Sequence, residues 1–585
     1  MAYTGASEEQ QEPQRNSELQ ERGAKAMKAS ERAFRRQSEF LPLWQAQAEI
    51  FYPERADFTT TYAAADERYD GVHTSLPSIM RRDMANNLGA MIRPRGKDWF
   101  KATASPISVM KDDEARIWCG DATATQRNIV YDPRAMFTRV MNESDNDYVT
   151  FGASVVSHSY RSDQSGLQFS CLHLRDCAWS QNADGMVDTL HNKMKLTLRQ
   201  IVQLLGQGSP EILPREWRMD WDKGHTEEIK TICRTVTPIE PGTHGKKERV
   251  PQMAKYCSIY MADGIKGDAT LAEYYFLAFP FTVREWMSVS GENYARSPCT
   301  SVALADARTL NSVEEALLTS VEQAVRPAKY AKKGVILSDL DLRANTVTFI
   351  SDDYDSKGMG APIANIDAGD PRYAMDLSER MAERIGTAFY QNVLKLPDHS
   401  DMTAYEVAER IEIYTREAAP IFEPMEAENA HIMDSIFTRA MAKGAFGKVR
   451  PDGMIEGLPE VLQGKEIRFE FETPLSDALR KQKANQFDGL IQTVSGMIAT
   501  QHPAVISAID QFDMDAAARD GAEGKIPPSW IRKLDDVAAK RQADAEAADA
   551  AKKEAQAMEV GQSALGANPE NLRMAAKAMK GEEVV

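Results

Sequence analysis

A group of cysteine and histidine side chains lies close together in the sequence and could in principle hold a metal ion. Cys171, His173 and Cys177 occupy odd positions, which share one face of a strand, and His158 is nearby. A structural zinc site needs four ligands at tighter spacing. Thiols and imidazoles also commonly fill ordinary sheet surfaces. We therefore predict an ordinary sheet face here and no metal site.

Three carboxylates, Asp352, Asp353 and Asp355, form an acidic turn whose oxygens could bind a divalent ion. The glycine and the distal glutamate of a calcium-binding loop do not follow them, so a solvated turn is the favoured interpretation. A metal-dependent nuclease built on these carboxylates is the alternative. It would require magnesium-dependent DNA cleavage that is abolished by Asp353→Ala.

A basic cluster provides local positive charge in an acidic chain. It consists of Arg326, Lys329, Lys332 and Lys333. These side chains could contact DNA phosphates, which are salt-sensitive and sequence-independent partners. They could equally pair with the acidic turn at 352–355, in the same subunit or in the next one. Both interpretations stay open at this stage.

Signatures of common enzymes are missing from the sequence. Residues 444–448, G-A-F-G-K, resemble the end of a phosphate-binding loop but lack its four-residue spacer and the following Ser or Thr. Glycines at this place are typical of a helix end. The chain contains no H-E-x-x-H and no G-x-S-x-G motif. We predict that the protein is not an enzyme and has no catalytic residues, no metal and no cofactor.

The composition limits the classes of protein further. The 585 residues include 70 Lys and Arg against 87 Asp and Glu, a formal charge of −17, which disfavours a protein that wraps nucleic acid with its whole surface. The six cysteines include no C-x-x-C pair, which indicates reduced thiols and folding inside a cell. The most apolar stretch, 271–283, is interrupted by Glu273 and Pro280 and is too short to span a membrane.

Hydrophobic periodicity and breakers predict the elements that must position these residues. The predicted helices lie at 41–51, 78–91, 196–205, 306–325 and 371–393, and a longer one runs from a capping box at Thr403 to about Phe446. Pro420 lies inside this last helix and predicts a kink or a break. The predicted strands are Val149 to Val156, Leu167 to His173, Tyr256 to Met261, Tyr274 to Val283 and Ile467 to Phe471.

Three consecutive strings carry a resemblance to a known family. They are F-P-F-T-V-R-E-W at 279–286, G-E-N-Y-A-R-S-P at 291–298 and A-L-A-D-A-R-T-L-N at 303–311. Together with the helix at 44–53, the Trp99-Phe100 pair and D-Y-V-T-F-G at 147–152, they resemble, in the same order, the head-to-tail connecting (portal) proteins of short-tailed, T7-like phages. The resemblance spans residues 40 to 535. Ala295 stands where the family usually has Gly, a departure that concerns the local turn.

The resemblance implies an α+β fold, an elongated portal-type subunit with a mixed α/β wing, paired stem helices, a small clip, a kinked tunnel helix and a helical crown. We expect the arm at 1–40 to be flexible and to run into a solvated helix, because it is polar and of mixed charge. The implied regions are a wing at 41–305, stem helices at 306–330 and 371–395, a clip at 331–370, a tunnel loop, tunnel helix and wing return at 396–476, a crown at 477–530, and an Ala-rich tail at 531–585 that is either a helical barrel or disordered.

The same resemblance implies a function without catalysis. Subunits of this family form a ring of twelve at one capsid vertex, through which terminase packages double-stranded DNA without sequence specificity and from which the DNA is later ejected. The implied partners are copies of the chain, terminase, tail adaptor proteins, and major capsid and scaffolding proteins, with assembly in the host cytoplasm and no membrane. The implied tunnel loop contains Asp398, His399, Ser400 and Asp401. A structural virion or scaffolding protein without a channel is the alternative.

Overall fold

The structure is a computed structural model of the 585-residue chain. It describes residues 17–63, 66–96, 98–161, 165–206, 208–239, 254–265, 269–325, 329–331, 363–365, 372–391, 404–447, 457–471, 489–492, 494–496, 518 and 534–564. Helices and strands are mixed along the chain, as predicted.

The described α-helices, in chain order, are α1 Ser17–Gln37, α2 Leu41–Phe51, α3 Leu76–Ile92, α4 Asp113–Val130, α5 Phe137–Phe151, α6 Leu198–Leu205, α7 Arg215–Asp222, α8 Pro298–Val325, α9 Arg372–Ala388, α10 Ala404–Ala442 and α11 Leu534–Ala564. The strands are β1 Phe100–Ser105, β2 Ala153–Tyr160, β3 Leu167–Leu172, β4 Cys177–Gln181, β5 Val187–Thr197, β6 Ile229–Pro238, β7 Tyr256–Ala262, β8 Thr270–Phe276, β9 Phe281–Glu285, β10 Lys329–Ala331, β11 Ile363–Asn365 and β12 Glu466–Phe471.

These strands form four sheets. A five-stranded sheet has the order β4-β5-β6-β7-β8, and a three-stranded sheet has the order β3-β2-β9. The remaining two sheets are the pairs β1-β12 and β10-β11. Every neighbouring pair in the two larger sheets is antiparallel. Antiparallel sheet therefore dominates the part of the chain between residues 147 and 283.

The chain divides into two compact units. The first comprises Met1–Ala102, Ala122–Leu458 and Arg468–Leu475, and it contains both larger sheets. The second comprises Thr103–Asp121, Pro459–Ile467 and Ser476–Val585. In the second unit, α11 gives the Ala-rich tail a helical conformation, and its described side chains are exposed apart from a half-buried Val537.

The three-stranded sheet begins immediately after α5. The prediction of a strand from Val149 to Val156 is wrong for its first residues, because α5 continues to Phe151. Tyr148 and Val149 are fully buried in the helical core, so tertiary packing overrides the β propensity of Val149 and Thr150. Gly152 then takes the left-handed conformation, with φ +77°, and ends the helix.

The five-stranded sheet carries α1 on one face. Small residues at helical spacing let α1 approach the strands, so that Ser30 Oγ lies 3.1 Å from Cys233 Sγ and Ala26 packs against the same cluster. Arg22 pairs with Glu273 at 2.7 Å. The expectation of a solvated helix in this arm is therefore wrong for 17–37. Small residues and one ion pair contribute much of this interface, together with Leu19 and Met27, so its sequence lacks a continuous stripe of large apolar side chains.

Other predicted boundaries shift by a few residues. The predicted strand from Tyr274 to Val283 is two strands, β8 and β9, which belong to different sheets and are separated by the turn containing Pro280. The predicted helix at 196–205 begins at Leu198, because Thr197 caps it with Gln200 in a capping box.

Helices α8 and α9 pack against each other in antiparallel fashion. Glu314 accepts a hydrogen bond from the Ser378 hydroxyl, and Asp306 lies 3.9 Å from Arg384, so residue numbers rise in one helix as they fall in the other. The helix predicted at 306–325 is confirmed and starts earlier, at Pro298. Beyond the pair, β10 and β11 are antiparallel, with Lys329 opposite Asn365.

Helix α10 is continuous from Ala404 to Ala442, so neither Pro420 nor Pro424 breaks it. Each proline removes at most one intrahelical hydrogen bond and the helix continues past it. The prediction of a break is wrong, while a kink at Pro420 stays a prediction.

The second string, 291–298, contributes the aromatic side chain of Tyr294 to the core and ends at Pro298, the first residue of α8. The Tyr294 ring contacts Trp44 at 5.6 Å and Trp179 at 4.5 Å, both edge to face. The next residue, Ala295, is buried and has no positive φ, which among the described non-glycine residues is found at Met136 and Tyr390. Alanine therefore fits this turn without backbone strain.

Gly152 generates a stability prediction. A Cβ atom there would lie 2.0 Å from the Arg296 carbonyl carbon and 2.2 Å from the Ser297 nitrogen. We expect Gly152→Ala to lower the free energy of unfolding by about 3 kcal/mol or more, since left-handed strain and a clash with backbone combine.

Gly185→Ala is the matched control, because Gly185 has φ +79° but open space around its Cβ position. It should cost about 1 kcal/mol from strain alone. Denaturant unfolding of both variants measures the difference, and equal losses would show that the close approach at Gly152 is unimportant.

Candidate functional site: a buried charge network and an exposed helix pair

The first string places a fully buried arginine on β9, an edge strand of the three-stranded sheet. Arg284 Nη1 donates to Asp145 Oδ1 at 2.9 Å and to Ser144 Oγ at 2.8 Å, both on α5. Its Nε donates to Glu428 Oε2 on α10 at 3.2 Å. The guanidinium also lies 4.7 Å from the centre of the Tyr148 ring. One side chain thus joins β9 to two helices.

A second buried arginine completes the network. Arg93, just after α3, pairs with Asp145. Two guanidinium groups therefore meet two carboxylates, those of Asp145 and Glu428. Burial raises the pKa of Glu428, and the Arg284 guanidinium acts in the opposite direction and favours the carboxylate. The other oxygen of Glu428 accepts the Glu285 backbone N–H at 2.6 Å, so both of its oxygens have donors.

A row of polar side chains along one face of α10 continues the attachment to the sheet. Glu428, His431, Ser435 and Arg439 are spaced by three or four residues, which places them on one helix face. Ser435 Oγ donates to the Phe279 carbonyl at 3.0 Å. Arg439 donates to the backbone carbonyl and the ring of His158 on β2.

His158 is neutral in this arrangement. Burial lowers the pKa of His158 well below its ordinary value, and the charge of Arg439 acts in the same direction. Arginine can only donate, so His158 Nδ1 accepts from Arg439 Nη2 at 2.6 Å, and its Nε2–H donates to Thr282 Oγ1 at 2.9 Å. The Thr282 hydroxyl then donates to His431 Nδ1 at 3.3 Å. The relay links β2, β9 and α10 without an ion pair.

The second feature is a set of exposed apolar side chains on the α8–α9 pair. Since Glu314 lies beside Ser378, the C-terminal part of α8 adjoins the N-terminal part of α9. Val325 is 73% exposed and Tyr373 is 83% exposed. The exposed apolar residues at this end of the pair are Leu318, Val321, Val325, Tyr373, Met375 and Leu377, hereafter the apolar stripe.

Most residues singled out from the sequence lie outside the described residues. This holds for Arg326, Lys332, Lys333, Asp352, Asp353, Asp355, Asp398, His399, Ser400 and Asp401. Lys329 is in β10, where its backbone is described. The roles assigned to these side chains stay predictions.

The cysteine and histidine group has separate partners. Cys171 Sγ lies 3.5 Å from Asp147 Oδ2, His173 Nε2 lies 2.7 Å from Asp57 Oδ1, and Asn192 donates to Cys177 Sγ at 3.5 Å.

Elsewhere in the described part of the chain, one group of three possible metal ligands has its ligand atoms close together, namely Asp220, His225 and Glu228. Lys230 already binds the two carboxylates, at 2.9 and 2.7 Å. Among the described helices, none has the length and apolar character needed to cross a membrane.

The strings that form this network also lie within a match to a protein family. The family described as "Bacteriophage head to tail connecting protein" matches residues 24–526. The chain belongs to this family. Head-to-tail connecting proteins are structural components of the virion, so this member has a connector role and is not an enzyme.

Comparisons with individual proteins add similarities at low identity. One chain from the virion of a native gene transfer agent particle is 10% identical, with 70% of this chain and 94% of that chain covered and a TM-score of 0.30. A chain from the neck of an empty gene transfer agent particle, computed with C6 symmetry, is 10% identical, with 71% and 90% covered and a TM-score of 0.33. No curated protein matches.

The network residues of this connecting protein form no recognisable motif in the sequence. Arg284 belongs to the string at 279–286, but neither its burial nor its partners follow from that string. The available signal was a charge within an apolar stretch, since Arg284 follows F-P-F-T-V. The partners Asp145 and Glu428 are far away in sequence, and no short-range pattern connects them to β9.

The network predicts that Arg284 is essential for stability. Arg284→Met should lower the free energy of unfolding by about 3–5 kcal/mol, because two buried carboxylates lose their shared cation. Arg296→Met is the control, since Arg296 pairs with Glu292 in the same region and is 37% exposed; it should cost at most about 1 kcal/mol. Denaturant unfolding measures both, and similar losses would contradict a special role of Arg284.

Proposed function

We propose that this connecting protein forms a closed ring at the unique vertex of the capsid of a short-tailed phage. Double-stranded DNA would enter through the centre of the ring during packaging and leave through it during ejection. The observation that carries the proposal is the apolar stripe on the α8–α9 pair, which a single copy leaves in contact with water.

Exposed apolar side chains that are contiguous mark association surfaces. Each fully buried Val or Leu side chain contributes about 1.5–3 kcal/mol, so the stripe can drive strong association. The fitting occupant is a second copy of the chain, because head-to-tail contacts between identical subunits generate rings when the rotation closes. We infer that α8 and α9 are the stem and that twelve copies assemble.

The charge of the chain suits a passage for DNA. Twelve copies would carry a formal charge of −204, twelve times −17. An acidic ring repels the phosphate backbone and lets a duplex slide, whereas each fixed Lys or Arg contact would add an attractive contribution. Arg326, Lys329, Lys332 and Lys333 would then guide DNA without holding it.

The segment between α8 and α9 fits a small module for partner proteins. In the β10–β11 pair, Ala331 lies opposite Ile363, so the two ends of the connection between these strands are next to each other. We propose that this clip, with Asp352, Asp353 and Asp355, binds terminase during packaging and tail adaptor proteins afterwards. Asp398, His399, Ser400 and Asp401 would form the tunnel loop, with capsid and scaffolding proteins around the ring.

Electron microscopy of the purified protein tests the ring. We expect class averages with rotational symmetry and a central hole for the unmodified chain. The double variant Leu318→Glu, Val321→Glu should stay a single subunit in analytical ultracentrifugation, because burying two carboxylates in the subunit interface is unfavourable.

Met219→Glu is the matched control, since Met219 is 52% exposed and Leu318 54%, and this variant should form rings. A chain that never forms rings would favour a structural role without a channel. Rings formed by the double variant would show that the apolar stripe is not the interface.

A further inference from the structure

A cavity of about 250 Å³ lies between the two larger sheets of the first unit. The three-stranded sheet contributes a polar surface to it, because two neighbouring cross-strand pairs face the cavity. These pairs are Ser157 with Ser170 and Ser159 with Gln168. A polar surface between two packed sheets is unusual, since the inner faces of stacked sheets are normally apolar.

The five-stranded sheet contributes Arg234, which is only 7% exposed. Its Nε donates to Ser258 Oγ at 3.1 Å. Its guanidinium carbon lies 4.7 Å from the centre of the Phe281 ring, 5.3 Å from that of Tyr260 and 5.5 Å from that of Phe276. These contacts hold the side chain at the cavity wall.

The charge of Arg234 is not matched by an acidic group in the part of the chain that the structure describes. Neither of its Nη atoms has a hydrogen-bond acceptor there, and no described carboxylate pairs with it. Arg284 and Arg93, which are also buried in this unit, each bind Asp145. A buried cation without a counter-ion is costly, and here its free donors adjoin a cavity.

We propose that this cavity binds a small organic oxyanion, a molecule with a carboxylate or phosphate group. Arg234 would supply the charge and two Nη donors, which suit oxygen pairs of this geometry. Hydroxyl and amide groups of Ser157, Ser170 and Gln168 would bind the remaining polar atoms. The aromatic rings of Tyr260 and Phe281 would contact an apolar body, for which the volume leaves room beyond the oxyanion itself.

Calorimetric titration of the full-length protein, at constant ionic strength with chloride as the competing anion, tests the site. Benzoate and inorganic phosphate are the probes, and benzamide is the neutral counterpart of benzoate. We expect saturable binding of benzoate that is roughly tenfold or more tighter than that of benzamide, because charge-assisted hydrogen bonds to the carboxylate are lost. Phosphate tests whether the oxyanion alone suffices, and its saturable binding would likewise support the site.

Arg234→Met should weaken benzoate binding roughly tenfold or more. Arg199→Met is the control, because Arg199 is largely exposed and does not line the cavity, and this variant should bind benzoate normally. Ser170→Ala removes one hydroxyl of the cavity wall and should weaken binding several-fold even if Arg234→Met does not fold. No saturable binding of either anion, equal binding of benzamide, or undiminished binding by Arg234→Met would each overturn the proposal.

Discussion

The structure of the first unit depends on one constraint, the need to neutralise Arg284 inside the protein. Burying a guanidinium is costly, and carboxylates that bind it offset this cost. Asp145 and Glu428 meet this need, and they come from helices that are far apart in sequence. Because each carboxylate must lie within hydrogen-bonding distance of β9, the network sets where α5 and α10 cross the three-stranded sheet.

The attachment of α10 has consequences for a connector. Its residues from Glu428 to Arg439 bind the sheet through ionic and neutral hydrogen bonds, including the relay through His158. A helix held at several points along one face moves with the sheet as a unit. A component that joins two large assemblies must transmit force without deforming, and buried polar contacts with defined geometry suit that task better than apolar packing, which permits sliding.

The proposed association of subunits would rest on a different kind of interaction. The apolar stripe of α8 and α9 is exposed in a single copy. Burying these side chains against a second copy would therefore add hydrophobic stabilisation that folding of one copy does not provide. The polar network inside the subunit and the proposed apolar contact between copies would therefore involve different residues, so that the interior of a subunit would not depend on assembly.

Several properties could be predicted from the sequence alone. The family resemblance, the absence of catalytic motifs, the helix at 306–325 and the strands β3, β7 and β12 rest on local patterns, since periodicity and turn residues act over a few positions. Tertiary structure decided the rest. Val149 lies in a helix because the core surrounds it, and one face of α1 is buried because strands distant in sequence offer a surface that fits small residues.

The buried charged residues show most clearly what could not be predicted from the sequence alone. In the sequence Arg284 and Arg234 both look like ordinary residues of amphipathic strands, yet the first is paired with two carboxylates and the second faces a cavity between two sheets. The energetic cost of burying a charged residue depends on the groups that surround it. For Arg284 one of these groups, Glu428, lies 144 positions away along the chain. The sequence by itself determined the family and the local elements, and only the folded chain decided which charges are partnered.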